Sequence, residues 1–409
     1  MRILHVLPYF YPAWRMGGTP RAVYELALVQ KDLGHEVAVV TTDLSSPGHG
    51  LSFSSFDPSD VLQETPDGFA VNHRGLEIFY YRSRTAHWSS RIGAYLTPGF
   101  LRQLNTTAEE KIPQVVHIHE FRTGLSLSAA AFARERGIPL VVSTHGSLFS
   151  PCSVGKRALK RIFDLAIGHR LASQTACFHA VCTHEAEQIE RLGVSQKKIR
   201  VIPHGFSPAG CSRENTMRKP PFPALLFAGR IDPIKGLDTL LQAWSLVTCQ
   251  YPETGLLLLG HGDPGYIKTL TVRFGLLRTV EPEWQAGKAV YGGHASPSVV
   301  AERLSRASCL AVPSNYEIWG LVILESLAAG CPVVATQICG CLEYLDGVSG
   351  VTVVPAEHVE SLAEALKAVI TAPPPVSSLP AGLSWQCVAE EMVALYCREI
   401  ENRTDSGRK

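Results

Sequence analysis

The stretch SCLAVPSNYEIWGLVILESLAAGCPVVAT, Ser308–Thr336, sets two short apolar runs on either side of a helical segment. CLAVP ends at Pro313, CPVVAT ends at Thr336, and GLVILESLAAG between them opens and closes on glycine. A strand, a crossover helix and a second strand, with both strands apolar on both sides, require a parallel sheet covered on its two faces. Two carboxylates, Glu317 and Glu325, interrupt this otherwise apolar unit. Eight helical residues turn through about 800°, which would leave the two about 80° apart on one helix. Glu317 therefore belongs to the loop beyond the strand, and Glu325 lies a turn or two into the helix. Open α/β sheets bind ligands at that loop, where carboxylates accept from hydroxyls and the N–H groups of the helix start hold an anion.

The same alternation extends outward in both directions. Upstream, ALLFAG (224–229), GLLLLG (255–260) and KAVYGG (288–293) read as strands separated by helical segments, and GVTVVP (350–355) follows downstream. A separate set begins at the N-terminus with RILHVL (2–7), a helix over 18–34 ending at Gly34, and HEVAVVTT (35–42). LEIFYYR (76–82), QVVHIH (114–119), IPLVVST (138–144) and CFHAVC (177–182) continue it. Between the two sets, SPAGCSRENTMRKPPFP (207–223) is polar, Pro-rich and without period. The expected architecture is α/β, two Rossmann-like doubly wound domains facing a central cleft. The first covers 1–206, a linker 207–223, and the second 224–376. The remainder, 377–409, contains an amphipathic helix N-capped at Ser384, expected to pack back on the N-terminal domain.

The totals fit two soluble domains. The chain has 409 residues, 45% hydrophobic and 18% charged, beyond the size of one ordinary core. No apolar run reaches the ~18 residues of a membrane span, and the start, broken by Pro8 and Pro12, is a poor signal peptide. The eleven cysteines are scattered, with no C-x-x-C pair, so neither a zinc site nor a disulfide framework is indicated and a cytoplasmic location is expected. Net charge is +1 but uneven: residues 1–212 hold 22 Lys+Arg and 17 Asp+Glu, the rest 16 and 20. That basic half suits an anionic partner.

Several strand ends carry chemistry. GRIDPIKGL places Arg230 and Lys235 on a tight loop just past a strand, two fixed cations suited to a diphosphate. Gly17-Gly18 opens the first helix and allows a phosphate to approach backbone N–H groups, although a plain turn fits as well. His145, in STHGSL, follows a strand and faces the expected cleft, or else caps or packs. His117 and His119 lie on one side of a strand; with no third ligand evident nearby, they read as structural rather than as a metal pair.

Together, GRIDPIKGLDTLL, the E-x7-E pair Glu317/Glu325, PYFYPAWRMGGTPRAVYELA, VIPHGF and the final LSWQCVAEEMVALY resemble the retaining glycosyltransferases of family 4, which have the two-Rossmann GT-B fold. The resemblance spans nearly the whole chain, in the expected order. Trp319 stands where phenylalanine is commoner and His204 where asparagine is usual, while 45–74 departs from the family core and reads as an insertion or loop. The resemblance implies a nucleoside-diphosphate sugar on the C-terminal domain and an acceptor on the N-terminal one. It assigns the diphosphate to Arg230 and Lys235, completed by the N–H groups of Gly320, Leu321 and Val322. It assigns the ribose hydroxyls to Glu325, the sugar hydroxyls to Glu317, the base to the main chain at Tyr291, and the phosphate side to Gly17 and Gly18. His145 would approach the sugar from the N-terminal domain. His145, Arg230, Lys235 and Glu317 are thus the catalytic candidates.

Metal is not needed for such a reaction, and no Asp-x-Asp of the metal-dependent transferases occurs in the chain. No cofactor is expected. The expected partners are the nucleotide-sugar donor and a saccharide or lipid-linked acceptor of polysaccharide or glycolipid synthesis, with no nucleic acid. Lys156, Arg157, Lys160 and Arg161 form one basic face of an expected helix, suited to docking on anionic lipid at the inner face of a membrane or simply solvated. Other readings keep the fold: a sugar-phosphate synthase, phosphorylase or epimerase, or a non-catalytic sugar-nucleotide binding protein. An NAD-dependent oxidoreductase is a further rival, with Asp43 after the second strand, but YPAWRMGGTP is not G-x-G-x-x-G.

Overall fold

The computed structural model describes residues 1–46, 49–65, 67–83, 112–149, 158, 161–206, 219–279 and 281–406. The chain divides into two compact units. Met1–Gly205 joins Trp385–Lys409 in the first, and Phe206–Ser384 forms the second. Residues 207–218 of the linker lie outside the described residues, as do Lys156, Arg157 and Lys160 of the basic helix.

The N-terminal unit is built on β1 (Arg2–Val6), α1 (Gly18–Asp32) and β2 (Glu36–Thr42). A small hairpin, β3 (Leu44–Ser46) and β4 (His49–Gly50), precedes β5 (Val61–Thr65), β6 (Gly68–His73) and β7 (Leu76–Tyr81). Then come β8 (Val115–His119), α2 (Gly124–Glu135), β9 (Leu140–Ser143), α3 (His169–Gln174), β10 (Cys177–Ala180), α4 (Thr183–Glu190) and β11 (Ile199–Val201). The sheet order is β11-β10-β9-β8-β1-β2-β7-β6-β5, parallel from β11 to β7. β8, β9 and β10 are buried at every position, so the histidines and serine they carry, His117, His119, Ser143 and His179, are buried with their apolar neighbours.

The described part of 45–74, expected as an insertion or loop, carries strands: β6 pairs antiparallel with both β7 and β5 and extends the sheet edge. No position of β5 is buried, so it lacks the apolar–polar alternation that one buried face would impose.

The C-terminal unit contains β12 (Ala224–Ala228), α5 (Leu237–Gln250), β13 (Gly255–Leu259), α6 (Pro264–Phe274) and β14 (Leu277–Arg278). β15 (Ala289–Gly293), α7 (Pro297–Arg306), β16 (Cys309–Val312), α8 (Leu321–Ala328), β17 (Val333–Thr336), β18 (Val351–Val354) and α9 (Val359–Thr371) complete it. All pairs are parallel, in the order β14-β15-β13-β12-β16-β17-β18. The strand order reverses at β12/β16, the position where such sheets open a ligand crevice.

The chain passes back to the first unit after Ser384. Phe206 N–H donates to the Leu383 carbonyl at 2.9 Å and pairs with Ser384, so 377–384 stays with the second unit. α10 (Trp385–Ser406) then packs along α1, burying Trp385, Val388, Met392, Leu395 and Tyr396. Spaced at three or four residues, these make the apolar stripe of an amphipathic helix.

Candidate functional site

In the C-terminal unit, two strand-end loops meet. β12 leads through Arg230 and Asp232 into a short turn, Pro233–Lys235, capped by Asp232 accepting from Ile234 N–H at 3.1 Å. Gly236 starts α5 with φ +68°, and a Cβ there would lie 1.9 Å from the Pro313 carbonyl oxygen at the end of β16. Only glycine fits so close an approach. The Ile234 carbonyl accepts from Asn315 N–H at 2.8 Å and Tyr316 N–H at 3.2 Å, which stitches the β12 loop to the β16 loop.

Across that seam Lys235 Nζ donates to Glu317 Oε2 at 2.6 Å, with side chains only 16% and 19% exposed. The two acidic residues nearer in sequence are engaged elsewhere: Asp232 caps the turn, and Asp238 accepts from Tyr266 Oη and Arg273. Arg230 remains half-exposed, 3.7 Å from Asp232. A largely shielded ion pair beside a half-exposed guanidinium leaves one cation shared and one available to an anion.

The loop carrying Glu317 is held on its far side too. Thr336 Oγ1 donates to the Ser314 carbonyl, Gly340 N–H to Glu317 and Cys341 N–H to Trp319. Trp319 is buried edge-on against Tyr344. Gly320, φ +96°, starts α8, so the N–H groups of Leu321 and Val322 stand in its first turn. Glu325 sits half-buried in the middle of α8. Ser314 Oγ and Asn315 Oδ1 are shielded from water with no hydrogen-bond partner among the described residues. Neither carried a motif of its own; the signal was their position just past a strand end. Tyr291 is placed differently. Its ring is buried in the core, its hydroxyl donates to the Gly260 carbonyl at 3.1 Å, and its main chain lies in the ladder between β13 and β14.

In the N-terminal unit, Gly17, φ +106°, is exposed and Gly18 is the first residue of α1. His145, φ +46°, follows β9 in a left-handed conformation that a non-glycine residue adopts only when its surroundings hold it there. The holder is Glu185, which no sequence motif singles out. It is fully buried, and it accepts from Thr144 Oγ1 at 2.6 Å, Gly146 N–H at 2.7 Å and Val181 N–H at 2.9 Å. Burial raises its carboxyl above the usual range, and these three donors oppose that.

Around His145 lies a buried histidine cluster. Parallel pairing aligns His5 of β1 with His117 of β8, which supplies the third histidine that sequence spacing did not reveal. Ligand atoms of His5, His117 and His119 lie within 4.8 Å of one another, the geometry of a metal site, but both nitrogens of each ring already face hydrogen-bond partners. Burial lowers His5 and His179 to about 4 and His145 to about 3. These rings are therefore neutral imidazoles at pH 7.

Two α/β units on largely parallel sheets, one with paired glycine-led helix starts, cations and carboxylates at its strand switch point, define a two-domain Rossmann-like class. Residues 17–205 match the profile described as a glycosyl transferase 4-like domain, and residues 222–372 the one described as glycosyl transferases group 1. The chain belongs to the group 1 glycosyltransferases and has their GT-B fold. It is 26% identical over 414 residues to the glycogen synthase of Mycobacterium tuberculosis, covering 97% of this chain and 94% of the relative. It is 27% identical over 377 residues to the phosphatidyl-myo-inositol mannosyltransferase of Mycolicibacterium smegmatis, covering 90% and 85%. Anabaena HepE in complex with UDP-glucose has the same fold, with a TM-score of 0.63 at 18% identity over 99% of this chain and 100% of that one. Among the described residues no helix is long and apolar enough to cross a membrane.

Proposed function

We propose that the chain transfers a hexose, with retention of anomeric configuration, from a nucleoside-diphosphate sugar to a saccharide or lipid-linked acceptor in polysaccharide or glycolipid synthesis. The observation that carries this is the Lys235–Glu317 pair at 2.6 Å, seated between two glycine-led helix starts at the strand switch point. A diphosphate leaving group gathers negative charge in the transition state, so fixed cations and helix N–H groups are what the reaction most needs. Lys235 is held in place by Glu317, and Arg230 is free to turn onto a phosphate. Glu317 and Glu325 accept from sugar and ribose hydroxyls; they are not an acid and nucleophile pair of the kind glycosidases use.

The departing phosphate oxygen takes the acceptor's proton as the new glycosidic bond forms on the face the diphosphate leaves, so no strong protein base is required. No metal enters this scheme. The UDP-glucose bound by the Anabaena neighbour supports a nucleotide-sugar donor, and the mannosyltransferase relative supports a lipid-linked acceptor. A test is transfer from UDP-glucose, GDP-mannose and ADP-glucose, with and without EDTA, onto saccharide and phosphoinositide acceptors. Product anomers are read by NMR. The same anomer as the donor, formed in EDTA, is the expected result; an inverted anomer, or dependence on added divalent metal, would contradict the mechanism.

A further inference from the structure

Eight hydrogen bonds in the N-terminal unit run head to tail, and one end of the series sets the direction of all of them. The Ile202 carbonyl can only accept, so His179 Nε2, at 2.7 Å, carries a proton. A neutral His179 then offers Nδ1 as an acceptor, and the Ser143 hydroxyl donates to it at 2.6 Å. Ser143 Oγ accepts from His117 Nε2–H at 2.7 Å, and His117 Nδ1 accepts from the Tyr396 hydroxyl at 2.6 Å. The Tyr396 oxygen accepts from Gln30 Nε2 at 3.4 Å, which leaves Gln30 Oε1 to accept from His5 Nε2–H at 2.7 Å. His5 Nδ1 accepts from His119 Nε2–H at 2.9 Å, and His119 Nδ1 from His145 Nε2–H at 2.9 Å.

The series ends at His145 Nδ1, a lone pair shielded from water with no partner among the described residues. Five imidazoles are thereby all assigned the same tautomer, with hydrogen on Nε2. Ordinary side-chain pairing gives no reason for such uniformity. Each link from Ser143 to His119 is fully or almost fully buried, so a reversed proton would leave two lone pairs or two N–H groups facing each other without water to relieve them.

We propose that this relay fixes His145 in its Nε2–H tautomer and so presents Nδ1 as a hydrogen-bond acceptor to a ligand hydroxyl, with His119, His5, Gln30 and Tyr396 as positioning residues. The proposal rests on the reading of His145 as a substrate-facing residue. The chemistry it selects is a hydroxyl at that point; an anion or a carbonyl would meet a lone pair. Tyr396 reaches the relay from the far end of the sequence, which gives α10 a role beyond covering α1. The histidine triad close enough for a metal is here fully committed: all six nitrogens of His5, His117 and His119 are used in the series.

The test is long-range 1H–15N NMR of the full chain labelled with 15N-histidine, at pH 7.5, with resonances assigned by single substitutions. The ligand-free wild type should show His5, His117, His119, His145 and His179 all protonated at Nε2 alone. A proton on Nδ1 of any of them, an imidazolium among them, or stoichiometric zinc on the purified protein would overturn the relay. Gln30→Leu removes the acceptor for His5 and should let the last three imidazoles reverse, placing the His145 proton on Nδ1 and lowering kcat/KM for transfer about tenfold, the worth of one hydrogen bond. An unchanged His145 in a folded Gln30→Leu protein would overturn the positioning role. Titration with free glucose and mannose supplies the last arm: the sugar that binds the N-terminal unit should shift His145 Nδ1. Absence of that shift with both sugars overturns the ligand contact and leaves the relay standing, whereas failure of UDP-glucose, GDP-mannose and ADP-glucose to bind counts separately against the donor assignment of the C-terminal unit.

Discussion

The two units solve opposite electrostatic problems at their strand ends. The C-terminal unit gathers charge, with Lys235, Glu317, Arg230 and Glu325 partly open to water and all three of its histidines exposed. The N-terminal unit gathers neutral polarity, with four buried imidazoles and the half-buried His145 joined through Ser143, Gln30 and Tyr396. A site that must stabilise a leaving diphosphate needs fixed charge. A site that must orient an uncharged sugar needs acceptors and donors of defined direction, and burying the rings is what keeps them uncharged.

The largest expected effect breaks the charged side of this contrast. Lys235→Ala should lower turnover by about 10² or more, because it removes a cation from the developing charge and leaves Glu317 unpaired in a shielded position. Steady-state kinetics at saturating donor would check it. Arg230→Ala should cost about 10² in turnover with little change in melting temperature, since its half-exposed pair with Asp232 contributes little to folding. Glu325→Ala should weaken nucleotide-sugar binding about 10-fold, the worth of a hydrogen bond to a charged group, as read by calorimetry.

Acid should act on the neutral side. The folded values of His5, His179 and His145 lie at about 4, 4 and 3, below the ordinary 6.5. As pH drops below 6.5 the unfolded chain takes up protons that the folded chain refuses. The stability held in full above pH 6.5 is therefore lost as pH falls toward 4. The slope is up to about 1.4 kcal/mol per pH unit for each histidine kept neutral. Urea midpoints of the N-terminal unit, followed by the fluorescence of its tryptophans at pH 7.5, 6 and 5, should fall in that order. A flat series would show that the rings are not held neutral.

Tyr396→Phe is expected to be the smallest change, about 1 kcal/mol of stability read from the urea midpoint, because it leaves His117 Nδ1 without a donor.

How much was legible in the sequence follows the same division. The C-terminal strands, Arg230, Lys235 and the E-x7-E segment all lie within short βα units, so local pattern alone placed them at strand ends. What it did not reveal was that Lys235 meets Glu317, because that contact depends on β12 and β16 being neighbours in the sheet although 84 residues separate Leu225 from its partner Cys309. In the N-terminal unit almost nothing of the cluster could be read, because its members come from six strands and helices spread from His5 to Tyr396. His117 and His119 showed as a pair; His5 joins them only through the parallel register, and Glu185 acts on His145 only through the turn after β9. The antiparallel edge at β5 and β6 reads in sequence as an insertion or loop because no position of β5 is buried and it carries no apolar pattern.

The most direct measurement is calorimetric titration of the metal-free protein with UDP, GDP, ADP and NAD, repeated with Glu325→Ala. Micromolar binding of one nucleoside diphosphate, weakened about 10-fold in the variant, is the predicted result. Binding of NAD with none of the three diphosphates, or equal diphosphate binding by both proteins, would contradict the assignment of the donor to the β12–β16 strand ends.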